Sequence, residues 1–158
     1  MVVGELTQEV DLVVIGGGPG GYVAALAAAD NGIATALIEE AKIPGGVCLR
    51  EGCIPSKALL HVAKVVEEAK HAEAFGVTFE QKNLDIEKLR NWKNGVIRKL
   101  GGGVQSLIKA RKIEYFNGRA TFEGSNIIRI EGTDNTRIKF RNALVATGAA
   151  AKYLPESL

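Results

Sequence analysis

A chain of 158 residues is the size of one domain, and 46% apolar with 24% charged residues is the balance of a soluble globular core rather than of a disordered chain. The formal charge of +2 gives no reason to expect nucleic acid or an acidic surface as a partner. No apolar run approaches the roughly 20 residues that a bilayer span needs, and Met1-Val2-Val3-Gly4 lacks the basic start of a secretory signal, so a cytoplasmic protein with no membrane segment is expected.

Glu9 to Ile15 reads as a buried strand, because the apolar run is short and β-branched. Gly16-Gly17-Gly18-Pro19-Gly20-Gly21 follows at once and contains Gly16-x-Gly18-x-x-Gly21. The alanine-rich stretch Tyr22 to Ala29 reads as a helix, with Pro19 suited to its first turn and Asp30-Asn31-Gly32 stopping it. Ala34 to Ile38 is a second strand ending at Glu39, 18 positions beyond Gly21. Strand, glycine loop, helix, strand and acidic residue form the unit that binds a dinucleotide. The glycines give a tight turn, close approach to a pyrophosphate and helix-to-strand packing, and the carboxylate accepts from a ribose hydroxyl. The pattern does not distinguish FAD from NAD.

Two cysteines, Cys48 and Cys53, lie five positions apart after Gly45-Gly46. That spacing leaves three readings open. A structural bridge would close a short loop and constrain the unfolded chain by only about 2 kcal/mol. A metal site would be poorly served by one cysteine pair with His61 and His71. A redox-active pair is the third reading. Cys53 to Ala72 looks helical, which puts the thiols near a helix start, where the dipole lowers a thiol pKa. Lys57, on the same helical face as Cys53, is either a thiolate partner or solvated surface.

Leu84 to Lys112 reads as a second helical region, with an apolar stripe that includes Trp92 as a core residue and a bend or break at Gly101-Gly102-Gly103. Its basic surplus fits a solvated helix face better than a nucleic-acid surface. Ile113 to Phe116 reads as a short strand. A meander of Arg119 to Phe122, Ile127 to Glu131 and Arg137 to Phe140 follows, with turns at Glu123-Gly124-Ser125-Asn126 and Gly132-Thr133-Asp134-Asn135. Asn142 to Thr147 is a last buried strand stopped by Gly148. The expected fold is α/β: a Rossmann-like FAD-binding domain over residues 1–158, a parallel sheet with flanking helices plus a small antiparallel meander.

The segment Gly45-Gly46-Val47-Cys48-Leu49-Arg50-Glu51-Gly52-Cys53-Ile54-Pro55-Ser56-Lys57-Ala58-Leu59-Leu60 closely resembles the active-site segment of the dihydrolipoamide dehydrogenase family of flavoprotein disulfide reductases. The glycine fingerprint, Glu39, Asn117-Gly118-Arg119-Ala120 and Ala146-Thr147-Gly148 fall in that family's order, so the resemblance runs from about Val10 to Gly148. Glutathione and mercuric reductases share the cysteine frame, but Ile-Pro-Ser-Lys-Ala-Leu-Leu after Cys53 favours the lipoamide enzyme. Arg50-Glu51 stands where Asn-Val is common, and Ala149 where Ser is usual. Arg50 favours thiolates there and Glu51 opposes them.

The resemblance implies FAD, with Gly16, Gly18, Pro19 and Gly21 at the pyrophosphate and Glu39 at the adenosine ribose. Gly46, Val47, Cys48, Ala120, Thr147 and Gly148 would line the same cofactor. Cys53 would be the thiol beside the flavin, Cys48 the interchange thiol that meets lipoamide, and Lys57 would lie near the flavin N5. It also implies that this is the N-terminal FAD and disulfide portion only. NAD would act through a domain outside this chain, the substrates would be lipoyl groups of 2-oxo-acid dehydrogenase complexes, and the full-length protein would be a homodimer. A non-catalytic module keeping the fold, or a reductase of another disulfide or of mercuric ion, are the competing readings.

Overall fold

β1 (Thr7–Ile15) is the strand around which the others assemble. The computed structural model describes residues 7–80, 83–132 and 136–150; the N-terminal segment 1–6 and, of the turn expected at Gly132-Thr133-Asp134-Asn135, residues 133–135 lie outside the described residues. β1 pairs in parallel with β2 (Thr35–Glu39) on one side and β5 (Thr136–Val145) on the other. Asp11 and Leu12 both donate to the Ala34 carbonyl, and the change of phase there keeps Val10 and Val13 on one face. Between β1 and β2 runs α1 (Pro19–Asp30), with Pro19 in its first turn. β2 is buried along its whole length, as a strand covered on both faces must be.

β3 (Glu114–Phe122) and β5 depart from the sequence expectation. Each was expected as two short strands; each is one continuous strand that serves two partners. Glu114 to Asn117 pair in parallel with β2, and from Gly118 the same strand pairs antiparallel with β4 (Ile127–Gly132). β5 pairs antiparallel with β4 at its start and in parallel with β1 along its length. The sheet therefore closes on itself in the order β1-β2-β3-β4-β5, rather than forming a parallel sheet with a separate meander. A sequence pattern reads facing, not partner, and a strand that changes partner keeps its alternation.

Closure makes two cores. Inside the ring Val13, Ala36, Ile38, Ile128, Ile130 and Ile138 pack together. On the outer face Val14 and Leu37 meet Ala25 of α1 and Val104 and Ile108 of α4 (Ile86–Ala110). Alternate residues of β1 and β2 thus feed different cores. α4 begins at Asp85, whose side chain accepts from the Lys88 N–H at 3.0 Å. It runs unbroken through Gly101-Gly102-Gly103, so of the expected bend or break there the break does not occur. Gly101 is buried there, and a Cβ on it would overlap the Ile43 side chain, so the glycine lets the helix approach the loop before the cysteines. α2 (Gly46–Arg50) and α3 (Cys53–His71) follow that loop. α3 is mostly exposed, and Trp92 of α4 is 45% exposed, not core; its ring stacks on His61 with centroids 6.4 Å apart.

Candidate functional site

The strands end together: Ile15 lies beside Ile38 and Val145, and Glu39 beside Asn117. β1 is flanked by β2 on one side and β5 on the other, and a crevice opens at this end of the sheet. The crevice is a cavity of about 1040 Å³. Gly16, Gly18, Pro19, Glu39, Gly46, Val47, Cys48, Ala120, Thr147 and Gly148, all chosen from the sequence, line it. Gly21, Cys53 and Lys57 do not. Gly21 is buried behind the loop, where a Cβ would overlap the Gly16 carbonyl, so it serves helix packing. Cys53 and Lys57 are exposed on α3.

The Gly18 N-cap of α1 has no side-chain cap bond, which leaves the helix's first N–H groups facing the cavity end of the loop. The glycine loop is also held from across the crevice, since Gly45 N–H donates to the Gly17 carbonyl at 2.7 Å. Gly46 has φ +63°, and a Cβ on it would come 2.7 Å from the Gly18 Cα. The two glycine runs therefore meet backbone to backbone, which sets the start of α2 against the start of α1.

Glu39 is nearly buried and organises the second wall. Its Oε2 accepts from the Gly17 N–H and its Oε1 from the Ala41 N–H, both at 2.8 Å. Behind it, Asn117 Nδ2 donates to the carbonyls of Glu39 and Ala41 at 2.9 Å each. Arg50, on the last turn of α2, reaches Glu39 with Nη1 3.9 Å from Oε1. Burial, with Glu39 adding and Arg50 opposing, pushes the Tyr115 phenol up to about 12.

The cysteines come together as the spacing requires. Cys48 lies within the short α2 and Cys53 is the first residue of α3. The fold of the connection is fixed by Glu51 and Gly52, which both donate to the Val47 carbonyl. The two side chains are hydrogen-bonded to each other, and both are free thiols here. The expected lowering of a thiol pKa by the helix start is not what Cys48 shows. Its thiol is raised, first by the hydrogen bond to Cys53 and then by desolvation. The Cys53 backbone N–H and the Lys57 charge act in the opposite direction and do not outweigh them. Arg50, read from the sequence as a thiolate partner, is not among the causes acting on Cys48; it faces Glu39 instead. Sequence reasoning also passed over Arg119 and Gly20 as cavity wall. No group of metal-binding side chains occurs among the described residues, and no helix among them is long and apolar enough to cross a membrane.

A crevice with an uncapped helix start, a buried carboxylate and a thiol pair defines a class. The chain belongs to the pyridine nucleotide-disulphide oxidoreductase family, whose model matches residues 10–157. Within that family it is similar to proteins named dihydrolipoyl dehydrogenase. That of Geobacillus stearothermophilus is 43% identical over 156 residues, covering 98% of this chain and 33% of the relative. That of Vibrio cholerae serotype O1 is 47% identical over 148 residues, covering 93% and 31%. Among solved structures, the Cu(II) complex of the HOCl-induced flavoprotein disulfide reductase RclA from Escherichia coli matches with a TM-score of 0.75 and 26% identity, covering 94% of this chain and 31% of that one. The chain thus spans about a third of the length of the curated relatives it matches.

Proposed function

We propose that this chain is the FAD-holding, disulfide-bearing N-terminal portion of a dihydrolipoyl dehydrogenase, folded as a single Rossmann-type domain. The observation that carries the reading is that Cys48, with Cys53 close enough to act on its thiol, stands on the wall of the same cavity as the glycine loop and Glu39. The residues present fit FAD. The uncapped start of α1 offers N–H groups to the pyrophosphate, and Gly46 keeps the cradle free of a side chain that would fill it. Glu39 accepts from the adenosine ribose, while Gly16, Gly18, Pro19, Val47, Ala120, Thr147 and Gly148 line the rest. Bound in this cavity, FAD would supply a two-electron acceptor for the dithiol, with NAD, held by a part of the enzyme outside this chain, as the final acceptor.

This chain's own share is thiol–disulfide exchange. A thiolate of dihydrolipoamide attacks the Cys48 sulfur of the Cys48–Cys53 disulfide and releases Cys53 as thiolate. The second substrate thiol then displaces Cys48. Lipoamide leaves oxidised, and the protein holds two reduced sulfurs. Lys57, which favours the Cys48 thiolate, lowers the barrier to that displacement. The complete enzyme is a cytoplasmic homodimer that serves lipoyl groups of 2-oxo-acid dehydrogenase complexes.

The test is a visible spectrum of the purified chain after loading with FAD and desalting, followed by anaerobic dihydrolipoamide. A retained flavin band, and thiols that rise by two per chain on reduction, are expected. A folded chain that retains no flavin, or whose cysteines are not oxidised and reduced as a pair, overturns the reading.

A further inference from the structure

Arg50 has a local environment that the exchange chemistry does not use. It ends α2, and its side chain is only 25% exposed. Its Nε–H is buried with no hydrogen-bond partner. A guanidinium offers five donors in a fixed fork, and a buried donor left unmet is destabilising. The nearest acceptor does not account for it. Glu39 Oε1 is 3.9 Å from Nη1, beyond the roughly 2.7–2.9 Å of a charge-assisted bond, so the Glu39 carboxylate does not saturate the guanidinium. Arg50 is also part of the cavity wall, on the side that holds Glu39 and the glycine loop.

Charge gives the second line of argument. Without Arg50, this wall presents the Glu39 carboxylate to a ligand whose own centre is an anionic pyrophosphate. With it, the pair is neutral, and the guanidinium stands on the wall of the space where the ligand lies. Glu39 can then serve a ribose without repelling the neighbouring phosphates.

We propose that Arg50 is a dinucleotide-binding residue, whose terminal guanidinium N–H groups bond an oxygen of the adenosine diphosphate half of the cofactor and whose charge offsets Glu39. The proposal rests on the FAD reading above. Its ligand chemistry is the pyrophosphate and ribose oxygens of an adenine dinucleotide, so ADP reports on it without the flavin. It also makes Arg50 a tie between the cysteine helix and the adenosine end of the cavity, since the residue is two positions beyond Cys48.

The experiment is calorimetric titration of the chain with FAD, ADP and riboflavin, for wild type, Arg50→Asn and Arg50→Lys, at two salt concentrations, with circular dichroism as the folding check. Arg50→Asn is expected to bind both FAD and ADP about tenfold more weakly, about 1.4 kcal/mol. It is also expected to show a shallower salt dependence, with riboflavin unchanged. Arg50→Lys keeps the charge but loses the fork and falls between the two. If Arg50→Asn is unfolded, the Lys variant carries the same comparison. Binding of FAD and ADP within twofold of wild type by either variant, or a loss confined to FAD and riboflavin, overturns the proposal. If wild type binds ADP but not FAD, the FAD reading falls while the Arg50 effect on ADP still decides this one. If it binds neither, both fall.

Discussion

Gly46→Ala tests the contact that joins the cysteine segment to the glycine loop. Two costs add at this position. The backbone sits at φ +63°, in the left-handed region, where a residue with a Cβ pays about 1–2 kcal/mol. The new Cβ would also stand 2.7 Å from the Gly18 Cα, whereas carbon atoms rest at about 3.5–4.0 Å, so the two loops must part by about 1 Å. Neither neighbour can yield by rotating a side chain, because the atom met is backbone. Overpacking of that kind costs about 1–3 kcal/mol, and the sum is about 2–5 kcal/mol. Gly20→Ala is the control. Gly20 lies in α1 with nothing within 4 Å of a Cβ, so alanine there is neutral or stabilising by up to about 1 kcal/mol. Urea unfolding of the three proteins, compared at a common m value, reads the difference. Flavin titration of the same samples is expected to show weaker binding for Gly46→Ala, because the parted loops are the two sides of the cradle. A Gly46→Ala midpoint equal to or above that of Gly20→Ala would refute the reasoning.

Three further outcomes follow from other contacts. Glu39→Gln keeps the shape, but its one amide oxygen can accept from only one of the Gly17 and Ala41 N–H groups and its NH2 meets the other as a donor, so FAD affinity should fall on the order of tenfold; calorimetry showing no loss would remove Glu39 from the site. The pH midpoint for alkylation of Cys48 should lie above the ordinary thiol value of about 8.5. It should fall in Cys53→Ala, which removes the largest raising cause, and rise in Lys57→Met, which removes a charge that favours the thiolate; shifts of the opposite sign would contradict this account. In α4, Gly103→Ala faces open space and should stabilise by up to about 1 kcal/mol, while Gly101→Ala meets Ile43 and should destabilise; equal thermal midpoints for the two would show that α4 does not press on that loop.

The glycine loop, α1, β2 and Glu39 were legible because they are local. A β-branched run, a glycine turn and a carboxylate in register need no partner to be recognised, and the cavity wall follows from them. What was not legible depended on contacts across the chain. The run Gly101-Gly102-Gly103 reads as a bend or break because propensity is a local quantity, yet packing of α4 against Ile43 and the sheet holds the helix through it. β3 and β5 read as fragments because Asn117-Gly118 and Arg141 interrupt their apolar pattern, and only the strands beside them explain their continuity. Trp92 sits on an apolar stripe, but the face of α4 that it occupies meets His61 rather than the core. For Cys48 the helix-start argument was sound in sign and too small in size, since the adjacent thiol outweighs it. Arg50 could be seen as unusual in its segment, but its direction, toward Glu39 and away from the sulfurs, is a property of the folded chain.

The ring of strands has a consequence for how the molecule comes apart. β3 and β5 each belong to the parallel and to the antiparallel part of the sheet, so β4 cannot detach without loosening the strands that flank β1 and β2. The hairpin arm and the cofactor crevice therefore open as one cooperative unit rather than as a frayed edge and a stable centre. In hydrogen exchange the amides of Ile128 and Ile130 should be released with those of Val13 and Val14, at the free energy of global unfolding. Mobile behaviour is left to the helical arm of α3, which few buried side chains tie down.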